Sequence, residues 1–205
     1  MVKKRLDNGG GFPPITEADL RRGDTPTARA YATLVKDAVA DAYNDRERQA
    51  LTFFMGKGWK PHQAVAIVAS LQKESFLDPG AVQDGGGQGR GLAQWTATDP
   101  RAATYARLHP GKSILTASFA EQLEFVNHEL HNPVLSAQKT LTDRSYQNAG
   151  NDLRQSVALA DAVTIVTKKY ERPGVRGQVA ERQKIAKEIY DYWSKVKGVF
   201  PTTRG

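Results

Sequence analysis

The sequence predicts a mostly α-helical domain with one small β-hairpin, so α+β in detail. Three observations lead to that expectation. Apolar residues recur at helical spacing, segment after segment, between Ala30 and Trp193. Proline and glycine punctuate those segments, at Pro26, Gly58, Pro61, Asp78-Pro79-Gly80, Pro100, His109-Pro110-Gly111, Asn132-Pro133 and Arg172-Pro173-Gly174. One stretch breaks the rhythm: Gln83-Asp84-Gly85-Gly86-Gly87 reads as a tight turn, and Gly91-Leu92-Ala93-Gln94-Trp95 as a short returning strand.

Residues 1–23 are rich in glycine, proline and charge and poor in large apolar side chains, which predicts a flexible N-terminal arm. Thr25 and Pro26 then form a cap and first helical position. Ala30, Leu34, Val35 and Ala38 make one apolar side, so residues 24–44 hold an accessory helix over Pro26 to Tyr43. Asp45 is expected to cap the next helix, which contains Ala50, Leu51, Phe53, Phe54 and Met55 and stops at Gly58. Trp59 after it reads as a packing residue.

The stretch from Pro61 onward carries the most chemistry. Ala64, Ile67, Val68 and Leu71 fall at i, i+3, i+4, i+7, the mark of a helix facing a core. Alanines at 64, 66 and 69 suggest close packing against neighbours. Glu74 lies three residues after Leu71, on the same side. A carboxyl there is expected to lose water and to hold its proton near neutral pH, which suits a group that protonates a leaving group. Asp78-Pro79-Gly80 then breaks the helix.

Further on, Thr98-Asp99-Pro100 opens a helix that ends at His109. Ser118-Phe119-Ala120-Glu121 is a capping box before Leu123, Phe125, Val126 and Leu130. Asn148 to Asp152 is turn-like, and Leu153 to Tyr170 reads as one long helix through Val157, Leu159, Val163 and Val166. Gln178 to Lys197 forms the last helix, with Ile185, Ile189, Tyr190 and Trp193, and residues 198–205 a short tail.

A chain of 205 residues can bury one good core, and 40% apolar with 25% charged residues fits a soluble globular protein. Without cysteine there are no disulfides and no thiolate metal sites. No apolar run is long enough to span a bilayer, and the basic start Met1 to Arg5 has no apolar region after it, so no secretory signal is expected. The net charge of +7 suits either nucleic acid or a wall polymer with carboxylates. The basic residues are dispersed and no nucleic-acid module stands out, so nucleic acid is not an expected partner.

Other motifs fail on their spacing. Gly111-Lys112-Ser113 lacks the first glycine of a phosphate loop, since position 106 is alanine. Gly87, Gly89 and Gly91 are followed by Leu92 where a dinucleotide fingerprint needs glycine. His128 and His131 do not complete a zinc-protease pattern, so neither metal nor cofactor is expected. Ser75 beside Glu74 has no nucleophile elbow around it.

Lys73-Glu74-Ser75-Phe76, Asp78-Pro79, Gly91-Leu92-Ala93-Gln94-Trp95 and Tyr170-Glu171-Arg172-Pro173-Gly174, in that order, resemble the phage-tail lysozyme family. That family is part of the lysozyme-like superfamily, with goose-type lysozymes and lytic transglycosylases as relatives. The resemblance covers about Asp45 to Trp193 and implies a lysozyme-like catalytic domain over 45–197, with the hairpin beside its cleft. It implies a muramidase that cuts the β-1,4 bond between N-acetylmuramic acid and N-acetylglucosamine. Glu74 would be the acid and Asp84 the second catalytic group, with Asp78 as runner-up. Ser75, Gln94, Trp95 and Tyr170 are the implied substrate-binding residues, and Glu171 with Arg172 an implied structural ion pair. A transglycosylase using Glu74 alone, or an inactive wall-binding or tail-assembly module, remain the alternatives. The implied setting is a monomer made in the cytoplasm that reaches peptidoglycan as a phage lysin, a tail lysozyme or an injected effector. Its partners would be the glycan strands and, by setting, a tail or secretion carrier or an immunity inhibitor.

Overall fold

The computed structural model describes residues 41–42, 44–131, 145–171, 177–196 and 200, with side chains at 145–148 left aside. The chain falls into two compact units, Met1–Asn44 and Asp45–Gly205. In the first, the expected arm and almost all of the helix from Pro26 to Tyr43 lie outside the described residues; Asp41, Ala42 and Asn44 are helical. The tail at 198–205 also lies outside them, Phe200 excepted. The second unit is described from here on.

Its helices are α1 (45–56), α2 (Pro61–Ser75), α3 (Pro100–Leu108), α4 (Phe119–His131), α5 (Ser145–Gln155), α6 (Leu159–Ile165) and α7 (Gln178–Trp193). A π-helical turn, Val166–Glu171, prolongs α6. None of the described helices is long and apolar enough to cross a membrane.

Helix α2 is the axis of the unit. Every residue from Gln63 to Leu71 is buried, so α2 is surrounded, with α6, α7 and the π turn against it. Its alanines allow that close approach. Its buried polar residues are all matched: Gln63 Nε2 donates to the Leu153 and Arg154 carbonyls at 2.8 and 3.1 Å, capping the end of α5. Ser70 Oγ accepts from Arg182 Nε at 3.3 Å. Helix α2 ends on Phe76, whose left-handed backbone (φ 53°) is followed by a second left-handed residue, Leu77 (φ 57°). Such backbone costs roughly 1–3 kcal/mol per residue and persists only where the surroundings impose it. Here the reversal drops Leu77 into the core and leaves Phe76 76% exposed.

The expected β-hairpin is absent among the described residues. Two isolated antiparallel bridges, Val82 with Arg90 and Arg90 with Trp95, stand in its place. The ladder cannot extend because Gly91 to Gln94 is a turn rather than a strand: Gly91 (φ 68°) and Gln94 (φ 49°) are left-handed, and Gln94 N donates to Gly91 O. Glycine at 91 is required twice over, since a Cβ there would sit 2.5 Å from Gln122 Oε1. Gln122, fully buried on α4, fastens the loop. Its Oε1 accepts from Leu92 N at 2.8 Å and its Nε2 donates to the Pro79 and Ala117 carbonyls at 2.9 and 2.8 Å. Arg90 closes the loop from the other side through Nη1, which donates to Gly87 O and Gly89 O.

Several local expectations change. Asp45 does not cap α1, which is already helical at Asn44; its carboxylate accepts from Arg48 and Gln49 one turn on. Asn148 to Asp152 lies within α5, not in a turn. Gly150 is there for contact: a Cβ on it would come within 1.7 Å of Leu130 O on α4. Leu153 to Tyr170 is not one helix. Helix α5 stops at Gln155, where Ser156 N and Oγ both donate to Leu153 O, and Val157 stands 84% exposed in the break. By contrast the capping box of α4 is formed as read, Ser118 N donating to Glu121 Oε2 and Glu121 N to Ser118 Oγ.

Candidate active site

At the end of α2 the Glu74 carboxylate, 24% exposed, accepts from Nη2 of Arg182, a fully buried residue of α7. Arg182 shares a face of its helix with Ala186, Ile189 and Trp193, which turns it inward. The rest of its guanidinium is committed as well: Nε donates to Ser70 Oγ, and Nη1 to Gln178 Oε1 at 2.5 Å. Glu74 is therefore an ion-paired group at the rim of the core, not an isolated carboxyl in an apolar setting.

Two further carboxyls stand close by. Glu171, last residue of the π turn, has its Oε1 buried without a hydrogen-bond partner. Burial first, and then the negative charge of Glu74, push its carboxyl up to about 8, against the pull of Arg101 and Arg182. Glu129 follows Phe125 and Val126 on the buried face of α4. Burial pushes it up to about 6, and the Arg101 charge and the Tyr170 hydroxyl pull it back. Tyr170 Oη donates to Glu129 Oε2 at 2.5 Å, and Arg101 Nε lies 3.7 Å from Glu129 Oε1. Burial opposes the charge on Arg101, yet Glu129, Tyr170 and Asp99 keep it firmly protonated. Asp99 caps α3 through Arg101 N and pairs with the Arg101 side chain at 2.8 Å. Among the described residues no group of three or more His, Cys, Asp or Glu is arranged to hold a metal ion.

A carboxylate at the end of a buried helix, a second carboxyl pushed up to about 8 and two guanidiniums, Arg182 fully buried and Arg101 partly exposed, form a charged cluster of the kind that can hold and exchange protons. The phage tail lysozyme family model matches residues 45–193, a span holding this whole cluster. The chain belongs to that family. No curated protein matches it. Membership in the phage tail lysozymes points to peptidoglycan lysis and leaves the bond cut to be settled by the site.

Within this family domain, the expected site residues do not all come together. Glu74 is in the charged cluster, and Tyr170 is in it too, bound to Glu129 and not to Glu74. Trp95 stands behind them, completely buried against Phe125, its indole nitrogen buried and without a hydrogen-bond partner among the described residues. Its ring thus presents no surface to a sugar. Ser75 is buried and donates back to Leu71 O at 2.9 Å, which completes the last turn of α2. Gln94 stays in the loop, its Nε2 donating to Gly91 O. Asp84 sits exposed in the 3-10 turn Asp84–Gly86, its carboxylate in no hydrogen bond or ion pair among the described residues. Asp78 holds its own turn by accepting from Gly80 N and pairs loosely with Arg46 at 3.4 Å.

Glu129, Arg101 and Arg182 escape the sequence reading, and Glu171 is read there only as half of an ion pair whose partner, Arg172, lies outside the described residues. A signal for two of them exists. Glu129 and Arg182 are charges placed on otherwise apolar helix faces, the same pattern that singles out Glu74.

Proposed function

We propose that the domain from Asp45 to Lys197 is a muramidase that cleaves the β-1,4 bond between N-acetylmuramic acid and N-acetylglucosamine, with Glu74 as general acid. The observation that carries this reading is the family match across 45–193, with Glu74 at the rim of its charged cluster. Glu74 would protonate the glycosidic oxygen, and Asp84 would stabilise or capture the sugar cation from the opposite side of the loop. Gln94 would meet polar groups of the sugar from the same loop.

The second reading is a transglycosylase in which Glu74 acts alone and the sugar's own hydroxyl attacks. The exposure of Asp84, with no hydrogen bond or ion pair to the charged cluster among the described residues, is the observation in its favour. The deciding experiment for either is a zymogram on purified wall. Wild type should clear it and Glu74→Gln should not, with the fold kept by circular dichroism. A folded Glu74→Gln that lyses wall at the wild-type rate removes Glu74 from the chemistry. A wild-type protein that sediments with wall and clears nothing is a binding module.

A further inference from the structure

Phe76 is unfavourable to the fold on two counts. Its backbone is left-handed (φ 53°, ψ 32°), a conformation that strains any side chain and that glycine adopts freely. Its ring is also 76% exposed. Leu77 is left-handed as well, but it offsets the strain by burying its side chain completely. Phe76 has no such burial, and strained residues of this kind gather at functional sites. Its place in the chain gives the ring a use. Along Glu74-Ser75-Phe76-Leu77 the side chains alternate: Ser75 and Leu77 are buried, while Glu74 keeps an edge in solvent and Phe76 stands out into it. Two residues of chain put the Cα atoms of Glu74 and Phe76 within about 7 Å of each other. The aromatic residues expected to meet a sugar do not reach one, since Trp95 and Tyr170 are both buried. Among the residues whose side chains are described, the other exposed aromatics are Tyr190 and Tyr192. They lie more than two turns beyond Arg182 on α7, about 12 Å or more along its axis.

We propose that Phe76 is a substrate-binding residue, whose ring packs on the apolar face of a sugar in the glycan strand, next to the bond that Glu74 protonates. This inference rests on the reading of Glu74 as the acid of a glycan-cutting enzyme. A pyranose carries hydroxyls around its edge and C–H groups on its faces. An aromatic face packs on those C–H groups and excludes water from them. With only two side-chain torsions, the ring loses little freedom when the sugar settles on it. The left-handed backbone turns Leu77 into the core and leaves Phe76 on the open side, beside the acid.

Substrate binding and stability should respond differently to the loss of this ring. Phe76→Gly removes it and supplies the residue best suited to a left-handed backbone, so the thermal midpoint should hold or rise by about 2–4 °C. In the active enzyme, F76G should raise KM for solubilised peptidoglycan about tenfold and change kcat far less. The second arm is independent of activity. Calorimetric titration of Glu74→Gln with the tetrasaccharide of alternating N-acetylglucosamine and N-acetylmuramic acid should show binding. Affinity should be about tenfold weaker in E74Q with F76G, and near the E74Q value in E74Q with Phe76→Tyr, which keeps the ring. Unchanged affinity with F76G overturns the inference, as does F76Y binding as weakly as F76G, or E74Q binding no tetrasaccharide. A midpoint lowered by about 4 °C or more in F76G overturns it too, because the ring would then belong to the packing of the fold. Wall clearing by folded E74Q removes the acid assignment, whereas unchanged affinity in F76G removes the role of Phe76 alone.

Discussion

Arg182 Nη2 donates to Glu74 Oε1 across 108 residues of chain, and this pair ties the last helix of the domain to the end of its central one. The guanidinium is fully buried while the carboxylate keeps an edge in solvent. One side chain thus serves both the packing of α7 on α2 and the aim of the proposed acid.

Removing that guanidinium should cost both stability and activity. Arg182→Met strips Glu74, Ser70 and Gln178 of their donor. Breaking a buried pair typically costs 3–5 kcal/mol, and the partial exposure of Glu74 puts this case near about 3 kcal/mol. Urea denaturation at pH 7 measures it. A loss below about 1 kcal/mol would mean that the pair contributes little to holding α7 in place.

Asp84→Asn separates the two chemical routes. If Asp84 captures or stabilises the cation, wall clearing should drop by about 10²-fold or more. Mass spectrometry of the products should show reducing-end muramic acid. Dominant 1,6-anhydromuramic acid with near-normal D84N activity would establish the single-glutamate route instead.

Gly150→Ala tests the contact between α4 and α5. The new methyl would meet Leu130 O, a backbone atom that cannot rotate aside. Overpacking of this kind costs about 1–3 kcal/mol, and the upper end applies here. Thermal unfolding should shift down by roughly 6–12 °C. An unchanged midpoint would mean that the two helices do not approach as closely as described.

Stability should also depend on pH in a definite direction. Glu129 and Glu171 bind protons more tightly in the folded chain than in the unfolded one, where glutamate titrates near 4.5. Their contribution is fully present below that value. It declines as pH rises, through about 6 for Glu129 and about 8 for Glu171. Each group lowers stability by at most about 1.4 kcal/mol per pH unit inside its window. Urea midpoints measured from pH 5 to pH 9 should fall, and E171Q should flatten the upper part of the curve. A wild-type curve that rises across this range would contradict the burial of both carboxyls.

Much of the helical framework was legible in the chain itself. The apolar spacing of Ala64, Ile67, Val68 and Leu71, the Ser118–Glu121 capping box and the Asp99-Pro100 start are local signals, set by neighbours three or four residues apart. The place of Glu74 at the end of its helix was legible in the same way, and the family motif lay in contiguous residues around it, but its ion pair with Arg182 was not legible. What the sequence could not express were relations between distant segments. Gly150 reads as a turn residue until Leu130 O is seen above it. Gly91 to Trp95 reads as a strand until Gln122, thirty residues on, pins Leu92 N and the turn around it. The partners of Glu74 and Tyr170, Arg182 and Glu129, were set by packing alone. Whether a buried charge is balanced depends on which helix lies opposite, and only the folded chain decides that.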